Sequence, residues 1–215
     1  SRDELKQEIM RNEYNDPRLR FIIGDIRDKE SIDTALAQTK PDYIFHAAAL
    51  KQVPSCEIYP MEAIKTNVLG AQNVINAALK HKVKRLVILS TDKAVHPINT
   101  MGMTKALMEK LMINASQQKS DTIFCGVRYG NVLYSRGSVV PYFVSLIKKN
   151  EPLRVTNPHM TRFLMTLDDA TELVLETLAN GENGKMYIKR APACTMETLA
   201  QAMLELFDYK EGTVE

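Results

Sequence analysis

Ser90-Thr91-Asp92-Lys93, followed eight residues later by Met101-Gly102-Met103-Thr104-Lys105, sets an acid, a base and a second lysine beside one strand end. That is a set of groups for moving protons on a carbon skeleton. The run from Arg85 to Ser90 is short, apolar and rich in strand-forming residues, as a buried strand is, while Met101 onward has the composition of a helix. Asp92 and Lys93 therefore stand where a strand meets a loop. In open parallel sheets ligands bind just beyond the carboxyl ends of the strands. An Asp-Lys pair alone is more often a solvated turn; Lys105 and the motifs around it weigh against that reading.

The elements that must position these residues alternate. Beyond a polar first helix, strands are predicted over 19–24, 43–48, 85–90 and 122–128, and helices over 29–39, 60–81 and 101–118. This order predicts an α/β fold with a parallel sheet wound on both faces. Beyond Arg128 the rhythm loosens into helix 141–149, short strands at 153–156, 163–166 and 186–188, and helices 167–179 and 196–206, punctuated by proline and glycine. A smaller lobe on the same sheet is predicted there.

Charge is balanced, with 28 basic and 26 acidic residues in 215, so nucleic acid and acidic membrane are disfavoured as main partners. No apolar run approaches the roughly 18 residues that cross a bilayer, and the start is not a secretory signal, so a cytoplasmic protein is expected. The 3 cysteines are far apart without a C-x-x-C, which indicates neither a disulfide framework nor a metal site. A nucleotide-binding sheet of this kind normally opens with a strand and a glycine-rich turn. No such turn occurs in this sequence, so roughly one βα unit is expected upstream and a truncation at the other end.

The segments Gly24-Asp25-Ile26-Arg27-Asp28, His46 to Glu57, Lys65-Thr66-Asn67-Val68-Leu69-Gly70, Ser90 to Val95, Pro97 to Lys105, Arg128 to Val132, Ser135 to Pro141 and Met160 to Phe163 carry a likeness through their order and spacing. The chain resembles the extended short-chain dehydrogenase/reductases, and within them the capsular-type UDP-N-acetylglucosamine 4,6-dehydratases that invert C5. The resemblance implies a Rossmann-like, doubly wound parallel sheet over 1–132 that binds NADP, with NAD possible, and a mainly nucleotide-sugar-binding lobe over 133–215. It also implies a homo-oligomer.

For the cofactor, the resemblance implies Ser1 and Arg2 near a 2′-phosphate, Asp25 on the adenine amino group, and Ile26 near the ring. Ala47, Ala48 and Ala49 would allow close approach; Lys51, Asn67, Tyr129 and Gly130 complete the set. Asp25 read by residue type alone is equally a cap or turn residue. Lys51, Asn131, Arg136, Gly137, Ser138, Val139 and Arg162 would meet the nucleotide sugar, with the Arg136 fork gripping a diphosphate. An asparagine inside an apolar helix is costly unless bonded, so Asn67 either orders nearby backbone or marks an exposed face. His46 reads as a satisfied core histidine and Cys56 as a buried, inert thiol.

In the implied reaction Lys93 is the base at C5, Asp92 the acid at the C6 hydroxyl, and Thr91 positions the 4-oxygen. Met101 stands where the superfamily usually has a tyrosine, while Lys105 keeps the ribose-binding role. Two alternatives remain open: a UDP-glucose or UDP-N-acetylglucosamine 4-epimerase, which needs no acid at C6, and a non-catalytic NADP(H) sensor, which needs neither Asp92-Lys93 nor the Arg136 segment.

Overall fold

The computed structural model describes residues 1–135, 137–209 and 214. They form two compact units, one of residues 1–128 with 174–187 and one of 129–173 with the described residues from 188 onward.

In the first unit, short polar caps start the helices that the apolar spacing predicts. α1 (Glu4–Tyr14) begins at Asp3, whose carboxylate accepts from Lys6 N, and α2 (Lys29–Thr39) begins at Asp28, which accepts from Glu30 N and Ser31 N. After β1 (Tyr43–His46) and the short α3 (Val53–Ile58), one helical rod runs through α4 (Pro60–Ala63), a wide π-type stretch at Ile64–Gly70, and α5 (Ala71–Lys80). β2 (Arg85–Thr91) ends in a single 3₁₀ turn, Asp92–Ala94; α6 (Thr100–Ser116) and β3 (Ile123–Tyr129) follow. β1 and β2 pair in parallel from Tyr43↔Arg85 to His46↔Ile88. Helix residues Val74, Ile75, Met108 and Met112 pack with strand residues Leu86, Ile88 and Phe124, all buried, so apolar burial binds helix to sheet.

The second unit holds β4 (Asn131–Val132), α7 (Val139–Ile147) and β5 (Thr161–Met165). α8 (Leu167–Asn180) and β6 (Met186–Ile188) are shared between the units, and β7 (Ala193–Thr195) with α9 (Met196–Leu206) returns to the second. β4 pairs parallel to β5, which pairs antiparallel to β7. Phe143, Leu146 and Leu153 pack there against Ala200, Met203 and Leu204.

Three expectations need correction. Residues 19–24 form no ladder with the described residues: Ser1 N donates to Ile22 O at 3.0 Å, Gln7 Nε2 donates to the same oxygen at 3.0 Å, and Gly24 N donates to Ser1 O at 3.2 Å. Over 153–156 only Leu153 pairs, in a single parallel bridge to Val214. The division is not one cut after residue 132, because β6 closes the sheet order β1-β2-β3-β6 and takes 174–187 back to the first unit. Gly126 makes this possible: a Cβ there would lie 2.6 Å from Ile88 Cγ1 and 2.7 Å from Met186 Sδ.

Candidate active site

At the end of β2, Thr91 is extended (φ −146°) and its hydroxyl caps the following turn, accepting from Lys93 N at 3.4 Å. The same hydroxyl donates to Asp92 Oδ1 at 2.8 Å, and Lys93 Nζ donates to that oxygen at 3.1 Å. One carboxylate oxygen thus joins the expected acid, base and positioning hydroxyl. The side chains of Lys93 and Asp92 are 30% and 27% exposed, open enough for a substrate to reach them. Helix α6 comes up against this turn. Asn99 caps it by accepting from Gly102 N at 2.8 Å, and a Cβ on Gly102 would fall 2.3 Å from the Lys93 carbonyl oxygen. Only glycine fits there.

Lys105 lies one turn further along α6, buried, with Nζ donating to Leu89 O at 2.9 Å. Burial pushes its pKa down to about 8, against the pull of the Glu109 carboxylate. His46, at the end of β1, is held near 3 by burial and then by the Lys105 charge, so it is neutral at physiological pH. It is a core histidine, but not a satisfied one: Nε2 has no hydrogen-bond partner among the described residues.

Asn67 sits fully buried within the π-type stretch. Its Oδ1 accepts from Leu50 N at 2.8 Å, and its Nδ2 donates to Leu50 O at 2.9 Å and to Thr104 Oγ1 at 3.0 Å. Both amide hydrogens are committed, so Asn67 acts on the loop after β1 by ordering its backbone. π-type turns inside α-helices often mark such functional positions. Met101 is 5% exposed and packs with Cys56, Ala63, Leu50 and Val53, so it fills an apolar cluster. Cys56 is fully buried, and burial raises its thiol pKa.

At the carboxyl end of β1 a groove of about 840 Å³ is lined by Ala47, Ala48, Ala49, Gly24, Asp25 and Ile26, with Arg2 and Lys6 on its walls. Small side chains let a ligand approach the backbone, and the two cations suit phosphate, so these residues fit a dinucleotide. Asp25 is not a helix cap. Its Oδ1 accepts from Arg27 N at 2.9 Å, and its Oδ2 pairs with Arg27 at 2.7 Å and Arg2 at 3.4 Å. The Arg27 guanidinium leads in holding its pKa below the usual carboxylate range. Ser1 and Asp3 are engaged at the start of α1, where Ser1 Oγ accepts from Asp3 N. Lys51 follows this groove on an exposed loop.

In the second unit, Tyr129 ends β3 and burial raises its phenol pKa. A Cβ on Gly130 would meet Phe163 at 2.8 Å, which keeps that glycine tight against β5. Asn131 opens β4, Gly137 is left-handed (φ 72°), and Ser138 and Val139 open α7. The Ser138 hydroxyl is buried with no partner among the described residues. Arg162 donates from Nη1 to Thr161 O at 2.8 Å and from Nη2 to Met160 Sδ. Arg136 lies outside the described residues. Among the described residues no cluster could hold a metal ion, and no helix is long and apolar enough to cross a membrane.

Residue reasoning passed over Gly102 and Glu109. The first was visible as the glycine beside Met101, within a helix that glycine disfavours; the second, as an acid in an apolar helical face.

A family described as "Polysaccharide biosynthesis protein" matches residues 1–215. A protein of Rickettsia conorii named UDP-glucose 4-epimerase is 55% identical over 212 residues, covering 98% of this chain and 62% of that protein. The chain thus spans about three-fifths of the length of the curated relatives it matches. Among solved structures, Pen from Bacillus thuringiensis shares 39% identity at a TM-score of 0.94, covering 100% of this chain and 68% of that one. DesIV, a dTDP-glucose 4,6-dehydratase from Streptomyces venezuelae solved with NAD and TYD, shares 23% identity at a TM-score of 0.88, with 97% and 70% covered. That likeness extends the same Rossmann-like α/β fold to a distant chain. With every residue matched and a relative more than half identical, the chain belongs to the polysaccharide biosynthesis protein family.

Proposed function

We propose that the protein is a UDP-N-acetylglucosamine 4,6-dehydratase that inverts C5 and uses NADP as an internal redox cofactor. The observation that carries this reading is the Asp92 oxygen shared by Thr91 and Lys93 at the carboxyl end of β2. Arg2, Asp25, Ile26 and Ala47 to Ala49 would hold the cofactor, which when bound would accept a hydride from C4 as the 4-hydroxyl gives up its proton, and would return it to C6 as C5 takes a proton from solvent through the site. Arg136, Gly137, Ser138, Val139, Asn131 and Arg162 would serve the nucleotide sugar.

With C4 at the ketone level the hydrogen on C5 is acidic. Lys93, as the free amine, takes that proton, and Asp92, as the acid, gives one to the C6 hydroxyl, which leaves as water. Lys93 Nζ and Asp92 Oδ1 lie 3.1 Å apart, so the two groups can act on adjacent carbons of one sugar. Proton transfer from well-placed groups contributes about 10²–10⁴-fold each.

The names of the Rickettsia relatives favour a second reading, a 4-epimerase. An epimerase needs no acid at C6, so Asp92 has no task in it, and Met101 cannot supply a phenol. Proton NMR of UDP-N-acetylglucosamine with NADP⁺ in deuterated water separates the two. A 6-deoxy-4-keto product with deuterium at C5 supports the dehydratase, and its C5 configuration tests inversion. A C4 epimer with the 6-hydroxyl intact would establish the epimerase. Lys93→Ala should abolish turnover; normal turnover by that variant refutes the mechanism.

A further inference from the structure

Glu109 is 4% exposed, yet three donors converge on its carboxylate. Oε1 accepts from Ser90 Oγ and from Arg128 Nε at 2.9 Å, and Oε2 accepts from Arg128 Nη2. A buried carboxylate persists only when paired and hydrogen-bonded, and an apolar side chain could fill such a place without that demand. What the carboxylate adds is a connection among α6, β2 and β3. Lys105 and Glu109, one helical turn apart, grip consecutive residues of β2: Lys105 takes the Leu89 carbonyl and Glu109 the Ser90 hydroxyl. The next three residues are Thr91, Asp92 and Lys93. Gly102, on the same helix, rests against the Lys93 carbonyl.

We propose that Glu109, anchored by Arg128, is a positioning residue that fixes the carboxyl end of β2, where the Leu89 carbonyl receives the Lys105 side chain. The reaction that this serves is the dehydration proposed above. Among the described residues, those facing Lys105 include Glu109 and Met108 on its own helix, the neutral His46 on β1 and the Leu89 carbonyl on β2, with Arg128 on β3 reaching it through Glu109. Glu109 is the anion that opposes the effect of burial on Lys105.

The test compares wild type, Glu109→Gln and Ser90→Ala by NMR of the lysine side-chain nitrogens, with the Lys105 signal assigned from Lys105→Met. In Glu109→Gln the Lys105 midpoint should fall by about one pH unit, as loss of a nearby opposite charge requires. With UDP-N-acetylglucosamine and NADP⁺, kcat should fall about 10–100-fold at unchanged KM, the cost of a misplaced catalytic group. A folded Glu109→Gln with wild-type midpoint and kcat overturns the proposal. Should that variant fail to fold, Ser90→Ala decides: a displaced Lys105 signal and reduced kcat support positioning, and wild-type values for both leave Glu109 a stabilising residue only. If wild type turns over no sugar, the dehydratase reading fails, while the Lys105 signal still tests this proposal.

Discussion

Asn67 holds Leu50 by both of its backbone groups, accepting from the N–H at 2.8 Å and donating to the C=O at 2.9 Å. Leu50 joins Ala49, on the wall of the groove, to Lys51, so this one side chain shapes the loop that would face a cofactor. Asn67→Leu leaves two half-buried backbone groups without their protein partner. It should cost about 2 kcal/mol in urea unfolding, since each orphaned group costs about 1–3 kcal/mol and these two, being half-buried, fall at the low end. A loss under about 0.5 kcal/mol would mean that the loop holds itself.

Gly102 is where α6 meets the turn that carries the dyad. Gly102→Ala puts a methyl 2.3 Å from the Lys93 carbonyl oxygen, which is backbone and cannot swing aside. The turn must move. We expect kcat to fall about 100-fold, with a smaller effect on KM; unchanged kcat would show that Lys93 needs no such fixing.

Met101→Tyr tests whether the methionine merely replaces a tyrosine. The position is 5% exposed, among Cys56, Ala63, Leu50 and Val53. A ring and hydroxyl there overpack an apolar cluster, at about 1–3 kcal/mol. Thermal melting should register the loss, and product NMR should show no gain of C4 epimer. Epimer formation by this variant would show that the hydroxyl reaches the sugar.

Lys105 should tie stability to alkaline pH. Its folded-state pKa, about 8, lies below the ordinary 10.5, so between those values the unfolded chain binds more protons and stability rises with pH. Below pH 8 the full cost of the buried charge is present. Lys105→Met removes this dependence. The stability of wild type relative to the variant should climb by about 3 kcal/mol from pH 7 to pH 10.5, at about 1.4 kcal/mol per pKa unit. A flat difference in urea unfolding would place the folded pKa near its ordinary value.

Much was legible because its causes are local. α2 spans the residues predicted for it, 29–39. Alternating strand and helix signals were enough for a parallel sheet. Asp92 and Lys93, being neighbours in the chain at a strand end, had to share a site. The rest depended on partners distant in sequence. Residues 19–24 have strand composition, but a strand needs a neighbour along its length, and among the described residues Ser1 and the Gln7 amide meet it at single points. Nothing in residue order could reveal that Gly184 and Lys185 bond to β3, and so return 174–187 to the first unit. Asn67 and Glu109 were visible as polar residues on apolar helices, and burial made partners obligatory. Which partners met that need, Leu50 for one and Ser90 with Arg128 for the other, was decided by how helix faces pack on strand ends.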